Sequence, residues 1–446
     1  MESANQEVAN QEVANQEELN TEVLIIGNGP SAIALSVFLS GVTPYYDVAN
    51  RHPNKAIHEH LLAAGDTSLI QQDLFWYMDP NEMPTPGRSV ADLYEKLMHP
   101  DDESQMPKCI DFRSEPQRAV PHLVIGKGRS GGSWWDVFLG LETLSSVKQL
   151  SLPIRGIGDC IGMFREDTEF TRPRAKHVAW YYREYVTEMG LEAHFIENEA
   201  VRCFRKSEDG TWLVRTDSRS IRSKFLVLAG GLSIPKTLEF ATTEKSPKEN
   251  IVYSRKELRN KIKELALDKP NLDVQMRIRP RIEQVVVIGG GLTAMDCVHE
   301  SHSYRLSVVH VFRESVEELR RNFGQIDTLS QRYQKQLGLM TGDITRPWYT
   351  PFPDSNVTDI VGYYAEIHRR RGRYRYPFAI MVIAIGSKPD ELAQDAMDKY
   401  QFSDYKSQED DSIFVCGALA GDRFVVNSVG GSLRVAQHLY KARFNE

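Results

Sequence analysis

The sequence predicts an α/β fold in which one nucleotide-binding type of domain is interrupted by a second. Three observations carry that expectation. An apolar run enters a glycine turn at residues 23–32, the same pattern returns at residues 285–294, and a strand-like run at residues 413–417 follows the second copy. Each is a place where the spacing of glycine and apolar residues narrows the local structure to a few choices.

The first element is TEVLIIGNGPSAIALSVFLSG, residues 21–41. A buried strand would run into Gly27, Asn28, Gly29, Pro30, Ser31 and Ala32, and a helix would follow. Gly27 permits a tight turn, Gly29 lets backbone approach a pyrophosphate, and the small Ala32 lets helix and strand pack closely. The amides of the helix start then face the phosphates. This is a Rossmann-type arrangement. A second strand is expected at residues 43–48, and Asp47 stands 20 residues beyond Gly27. A carboxylate at that distance binds ribose hydroxyls, or it is a loop aspartate.

At 446 residues the chain has room for two or three domains, and 41% hydrophobic residues suffice for their cores. A net charge of −7 argues against a general nucleic-acid binder. No apolar run approaches the roughly 18 residues of a membrane span. Residues 1–20 repeat the polar pattern NQEVA and read as a disordered tail without the features of a secretory or mitochondrial leader. The five cysteines form no CxxC pair. That spacing fits reduced thiols in a cytoplasmic protein and argues against reduction of disulfides through a CxxC centre.

Residues 50–120 read as a loop-rich insertion with a short helix at 89–99. His52, His58 and His60 have no carboxylate or cysteine at a familiar ligand spacing, so no metal is expected. A strand at 122–126 leads to Gly131, Gly132, Ser133, Trp134 and Trp135. This is either a turn with a packing anchor or an approach of backbone to an aromatic ring system. The stretch LSSVKQLSLP, with Gln149 inside it, could return to the same cleft. A helix at 177–189 and alternating strands from 191 to 228 complete a first part.

The second glycine turn contains Gly289, Gly291 and Ala294, and the strand after it ends at Arg313. A guanidinium there suits a 2′-phosphate and favours NADP over NAD, although Glu314 follows directly. The basic run at 368–375 reads as a solvated hairpin. Near the C-terminus Asp422 could hold a ribityl hydroxyl, and Gly430 and Gly431 could open a helix whose amides face a flavin carbonyl. The expected organisation is therefore a tail at 1–20, an FAD domain at 21–240 and 391–446, and an NADPH domain at 241–390.

With these pieces the chain resembles the oxidative-stress-induced growth inhibitor family, within the flavin-dependent monooxygenase superfamily. The residues that carry the likeness include VLIIGNGPSAIALSVFLSG, TPYYDVANRHPN, PHLVIGKGRSGGSWW, LSSVKQLSLP, VVVIGGGLTAMD and FVCGALAGDRFVVNSVGG. The resemblance implies FAD, NADPH and a monooxygenase activity that proceeds through a C4a-hydroperoxyflavin, with roles in growth, cell death and division. It also implies that Gly132, Trp134 and Trp135 lie against the flavin, with Asp422, Gly430 and Gly431 completing that site. Gly289, Gly291, Ala294 and Arg313 would hold NADPH. The FxGxxxH stretch usual in flavin-containing monooxygenases is missing, and no catalytic acid or base stands out. A peroxide-releasing NADPH oxidase and a non-enzymatic nucleotide-binding regulator are the rival readings.

Overall fold

The structure is a computed structural model that describes residues 17–101, 106–137, 140–160, 172–242, 246–267, 284–324, 331–370, 372–422 and 424–444. It divides into two compact units, Met1–Ser233 with Pro389–Glu446, and Ile234–Lys388.

The first unit begins with β1 (Glu17–Ile26) and α1 (Pro30–Leu39). Val23, Leu24 and Ile25 have no exposed surface, as a parallel strand covered on both faces requires. Every residue of α1 from Ser31 to Leu39 is also buried. Pro30 at its first turn supplies a helical φ and lacks only an N–H that the helix would leave unpaired. There follow β2 (Val42–Tyr46), α2 (Val90–Met98), β3 (Ile110–Ser114), β4 (His122–Ile125), α3 (Ala175–Glu188), β5 (Phe195–Ile196), β6 (Cys203–Lys206), β7 (Trp212–Arg215) and β8 (Arg219–Leu228). β1 pairs in parallel with β4 on one side and β8 on the other.

Three expectations are corrected here. The strand after α1 does not join the main sheet, because β2 pairs antiparallel with β3 as a separate two-stranded ribbon. The strand beside β1 is β4, so the inserted segment starts at residue 42 rather than 50. Residues 17–20, expected to belong to a disordered tail, are instead part of β1. Glu17–Asn20 pair with Arg219–Arg222, and Glu17 and Glu18 bridge Arg219 and Arg222 at 2.7 and 3.2 Å. Complementary charge and a full backbone ladder order those four residues despite their polarity. Residues 1–16 lie outside the described residues.

The second unit contains β9 (Ile234–Pro235), β10 (Ile251–Val252), α4 (Arg255–Leu267), β11 (Gln284–Ile288), α5 (Leu292–Ser303), β12 (Ser307–Val311), β13 (Tyr349–Phe352), β14 (Ser355–Val361), β15 (Tyr364–Arg369), β16 (Gly372–Pro377), β17 (Ile380–Ile383) and β18 (Ser387–Lys388). Its parallel sheet has the order β10-β17-β11-β12-β13, and β14, β15 and β16 form an antiparallel sheet of their own. The basic run forms the β15–β16 hairpin, with Arg373, Tyr374 and Arg375 exposed.

The chain then returns to the first unit through β19 (Phe402–Ser403), β20 (Lys406–Ser407), β21 (Ile413–Val415) and α6 (Val425–Phe444). β21 joins β8, which makes the order β19-β20-β21-β8-β1-β4-β5, with β6 and β7 attached beside β8. Gly430 and Gly431 do not open α6 but lie inside it. A Cβ on Gly430 would strike the α2 backbone at Ala91, so glycine there serves the close approach of two helices.

Candidate functional site

The carboxyl ends of β1, β4 and β8, at Ile26, Ile125 and Leu228, open together onto a cavity of about 480 Å³ in the first unit. Ligands of open α/β sheets bind at such strand ends. Gly27 has φ +116°, and its N–H donates to the Ile125 carbonyl at 2.7 Å. A side chain there would run into the Ala229 carbonyl. Gly29 differs. It caps α1 in an extended conformation, φ −75°, and a Cβ would meet nothing within 4 Å. Gly132, φ +55°, comes so close that its own Cβ would stand 3.1 Å from the Gly29 Cα. The two glycine loops are locked together at Asn28, whose Nδ2 donates to the Gly128 carbonyl at 2.6 Å while its carbonyl accepts the Gly131 N–H at 2.9 Å.

Of the expected residues, Gly27, Gly29, Pro30, Ser31, Gly132, Trp134 and Asp422 stand around this cavity. Ala32 lies behind it, fully buried, where strand and helix pack. Trp134 packs edge-on to Tyr182 at 6.2 Å. Asp422 Oδ1 accepts from the Tyr405 hydroxyl at 3.0 Å, and its Oδ2 is buried without a partner. Burial pushes this carboxyl up to about 7, against the opposing effects of the Tyr405 hydrogen bond and the Gly417 backbone. Such a group can donate or accept a hydrogen bond near neutral pH.

Five expected residues are not brought to the cavity wall. Asp47 folds back on its own loop, accepting the Ala49 N–H at 2.9 Å and Asn50 Nδ2 at 2.7 Å, because β2 carries it onto the ribbon. Trp135 turns its indole N–H to the Ser130 carbonyl at 2.7 Å and its ring toward Trp180. Gln149 accepts the Ser146 N–H at 3.0 Å in a local turn. Gly430 and Gly431 sit in the α6 interior, and a Cβ on Gly431 would strike Asp422 Oδ2 and the Tyr405 ring. Gly431 thus makes room for the Tyr405–Asp422 pair. The helix start at the cavity is formed instead by Phe424 and Val425. Sequence reasoning also missed Gly126, although a GKG directly after a strand was a usable signal.

In the second unit, Gly289 has φ +124° and donates to the Val311 carbonyl at 2.9 Å. Gly291 caps α5, and Ala294 is fully buried behind it. Arg313 is exposed just beyond β12, while the Glu314 carboxylate lies against Gly290. His310, fully buried, supports the turn. Its Nε2–H donates to the Gly289 carbonyl at 2.7 Å, which leaves Nδ1 to accept from the Tyr349 hydroxyl at 2.7 Å. Burial lowers this imidazole to about 4. A depressed histidine contributes stability that is complete above its unfolded value near 6.5 and is lost as pH falls toward 4. We expect the full chain to melt at progressively lower temperature over that window, by at most about 3 kcal/mol from this group. The His310→Gln variant should flatten the slope; an equal slope in both proteins would remove His310 as its source.

Among the described residues, no cluster of three or more His, Cys, Asp or Glu is placed to hold a metal ion, and no helix is long and apolar enough to cross a membrane.

Comparison with known proteins gives curated relatives of nearly equal length. "Oxidative stress induced growth inhibitor homolog osgn-1" of Caenorhabditis elegans is 34% identical, with 95% of each chain covered. Human "Oxidative stress-induced growth inhibitor 1" is 26% identical, covering 94% of this chain and 95% of its own. No family model matches. Among solved structures, a bacillithiol disulfide reductase of Staphylococcus aureus gives a TM-score of 0.57 at 14% identity, over 95% of this chain and 99% of that one. A flavin-containing monooxygenase of Stenotrophomonas maltophilia gives 0.55 at 11% identity, over 95% and 99%. At these identities the likeness is one of fold. The architecture is that of two-domain flavoproteins with FAD- and NAD(P)-binding units.

Proposed function

The chain belongs to the oxidative stress-induced growth inhibitor family, and from that premise we propose that it is an FAD-dependent, NADPH-using oxidoreductase of the monooxygenase type that acts in growth control. The first unit would hold FAD, and Ile234–Lys388 would hold NADPH. The observation that carries the reading is the cavity at the ends of β1, β4 and β8, with the start of α1 at its wall.

The residues fit such a cofactor. Gly29 leaves open space where a side chain would stand, and Gly132 brings the facing loop close against its backbone. The α1 amides behind them favour a pyrophosphate. Asp422, with one buried oxygen unpartnered, suits a hydroxyl-bearing chain, and Tyr405 holds its other oxygen. Leu228, Leu419, Val425 and Phe424 give the cavity apolar walls that exclude water. Bound flavin would supply two-electron and oxygen chemistry that no side chain here can perform. Gly289, Gly291 and Ala294 would seat the nicotinamide nucleotide, with Arg313 free to meet a 2′-phosphate.

The test is an absorption spectrum of purified protein before and after anaerobic NADPH. We expect a flavin band that NADPH bleaches and air restores, and oxygenated product in proportion to NADPH consumed. Bound flavin that NADPH leaves oxidised would remove the role given to the second unit. Peroxide equal to the NADPH consumed would replace oxygenation by an oxidase activity.

A further inference from the structure

In dinucleotide sites of this architecture the strand beside the glycine turn ends in a carboxylate that binds the adenosine ribose. Here that strand is β4, and it ends in Ile125, Gly126, Lys127 and Gly128, with no carboxylate. Sterics enforce the change. A Cβ on Gly126 would fall within contact distance of Asn28 Cγ, Nδ2 and Oδ1, so the Asn28 carboxamide occupies the space where a strand-end side chain would begin.

That carboxamide is fixed. Its Nδ2 donates to the Gly128 carbonyl at 2.6 Å, which also settles which of its two atoms is nitrogen. Asn28 is only 5% exposed, yet it belongs to the cavity wall, and its Oδ1 accepts no hydrogen bond among the described residues. The carboxylates of the wall have other partners or positions. Glu199 is held by Thr216, Ser218 and Arg219. Asp390 caps a helix at Ala393, Asp422 is bound by Tyr405, and Asp136 follows the tryptophan pair. Lys127, the next residue, is exposed and also belongs to the wall, its Nζ donating to the Ser233 hydroxyl at 3.4 Å. Glu199 meets Gly126 through its backbone N–H, which donates to the Gly126 carbonyl at 3.0 Å.

We propose that Asn28 is the ribose-reading residue of the first unit, replacing the strand-end carboxylate with a neutral acceptor, and that with Lys127 it makes this site tolerant of a phosphate on the adenosine ribose. The inference rests on the FAD reading above. A carboxylate accepts hydroxyls and repels a ribose phosphate; a carboxamide accepts a hydroxyl and carries no charge with which to repel one. The site therefore discriminates adenine nucleotides by their pyrophosphate and base and ignores phosphorylation of the ribose.

The experiment compares wild type, Asn28→Gly and the pair Asn28→Gly with Gly126→Glu, the first substitution clearing the space that the second needs. FAD affinity is measured by titration of the apoprotein, with AMP and its 2′-phosphorylated form as competitors and a thermal melt of each protein as the control for folding. In wild type the two competitors should displace FAD at comparable concentrations. Asn28→Gly should weaken FAD about tenfold, the worth of one hydrogen bond lost. The pair should recover FAD affinity and disfavour the 2′-phosphorylated competitor by about tenfold or more, since the carboxylate is back at the strand end. Unchanged FAD affinity in a folded Asn28→Gly protein overturns the assignment, as does wild-type rejection of the 2′-phosphorylated competitor. Failure of wild type to take FAD at all would instead overturn the functional reading itself, and this inference with it.

Discussion

Alanine at Gly29 will leave the fold intact and strip the protein of flavin, whereas alanine at Gly27 will cost the fold itself. The two glycines stand two residues apart in one turn, yet their constraints differ. Gly27 has φ +116°, which an L-residue reaches only with strain, and its Cβ would enter the Ala229 carbonyl across the sheet. Together these should cost at least about 3 kcal/mol. Gly29 has φ −75°, and its Cβ would meet nothing within 4 Å of protein. Its alanine variant should melt at or slightly above the wild-type temperature, since alanine restricts the unfolded chain by about 0.4–1 kcal/mol. The added methyl instead stands where the backbone should meet a pyrophosphate, and a loss of roughly a hundredfold in FAD affinity, near 2.7 kcal/mol, is expected. Melting curves and flavin-to-protein ratios for the two variants decide the matter. Wild-type flavin affinity in Gly29→Ala would mean that this turn does not seat the phosphates.

Asp422 offers the second large effect, and it is pH-dependent. Its carboxyl is raised from 3.8 to about 7, chiefly by burial. A raised acid stabilises the folded state most when protonated, so its contribution is complete below about pH 4 and is lost as pH rises through about 7. Three units correspond to about 4 kcal/mol at most, because the group is only partly enclosed. Asparagine keeps an acceptor for the Tyr405 hydroxyl and carries no charge to desolvate. The flavin-free Asp422→Asn protein should therefore melt higher than wild type at pH 8, with the gap closing toward pH 4. A gap that does not change with pH would show that the carboxylate is not held away from water.

Both glycine turns were legible because their demands are local. A positive φ after an apolar strand leaves glycine as the residue of choice, and the helix that follows must start small. The ribbon of β2 and β3 was not legible, since VTPYY has the same apolar character whichever strand it pairs with, and its partner lies beyond two intervening helices, Lys55–Ala63 and Val90–Met98. For Asp47 the loop alternative holds, because its 20-residue distance from Gly27 leads onto the ribbon rather than along the main sheet. The glycine pair at 430 and 431 suggests a helix start with amides open to a flavin carbonyl, yet both lie inside α6. Their reason for being glycine lies in other elements, Ala91 and Tyr94 for one and Tyr405 and Asp422 for the other. Trp135 and Gln149 carried the right residue types in the right segments, but only side-chain direction separates Trp134 at the cavity from Trp135 beside Trp180.

The two units differ in how a ribosome would deliver them. Ile234–Lys388 is one uninterrupted run, so everything its parallel sheet needs has emerged once residue 388 is made. The first unit has no such autonomy. The Leu226–Leu228 end of β8 waits unpaired on one side until β21 is synthesised, and α1 lacks its contacts with α6 until that helix arrives with Ser432 for the Ser31 carbonyl and Tyr440 for the Phe38 carbonyl. A premature stop after residue 400 would therefore release a finished second unit attached to an unfinished first one with its apolar edge bare, a species fit for degradation rather than for partial function.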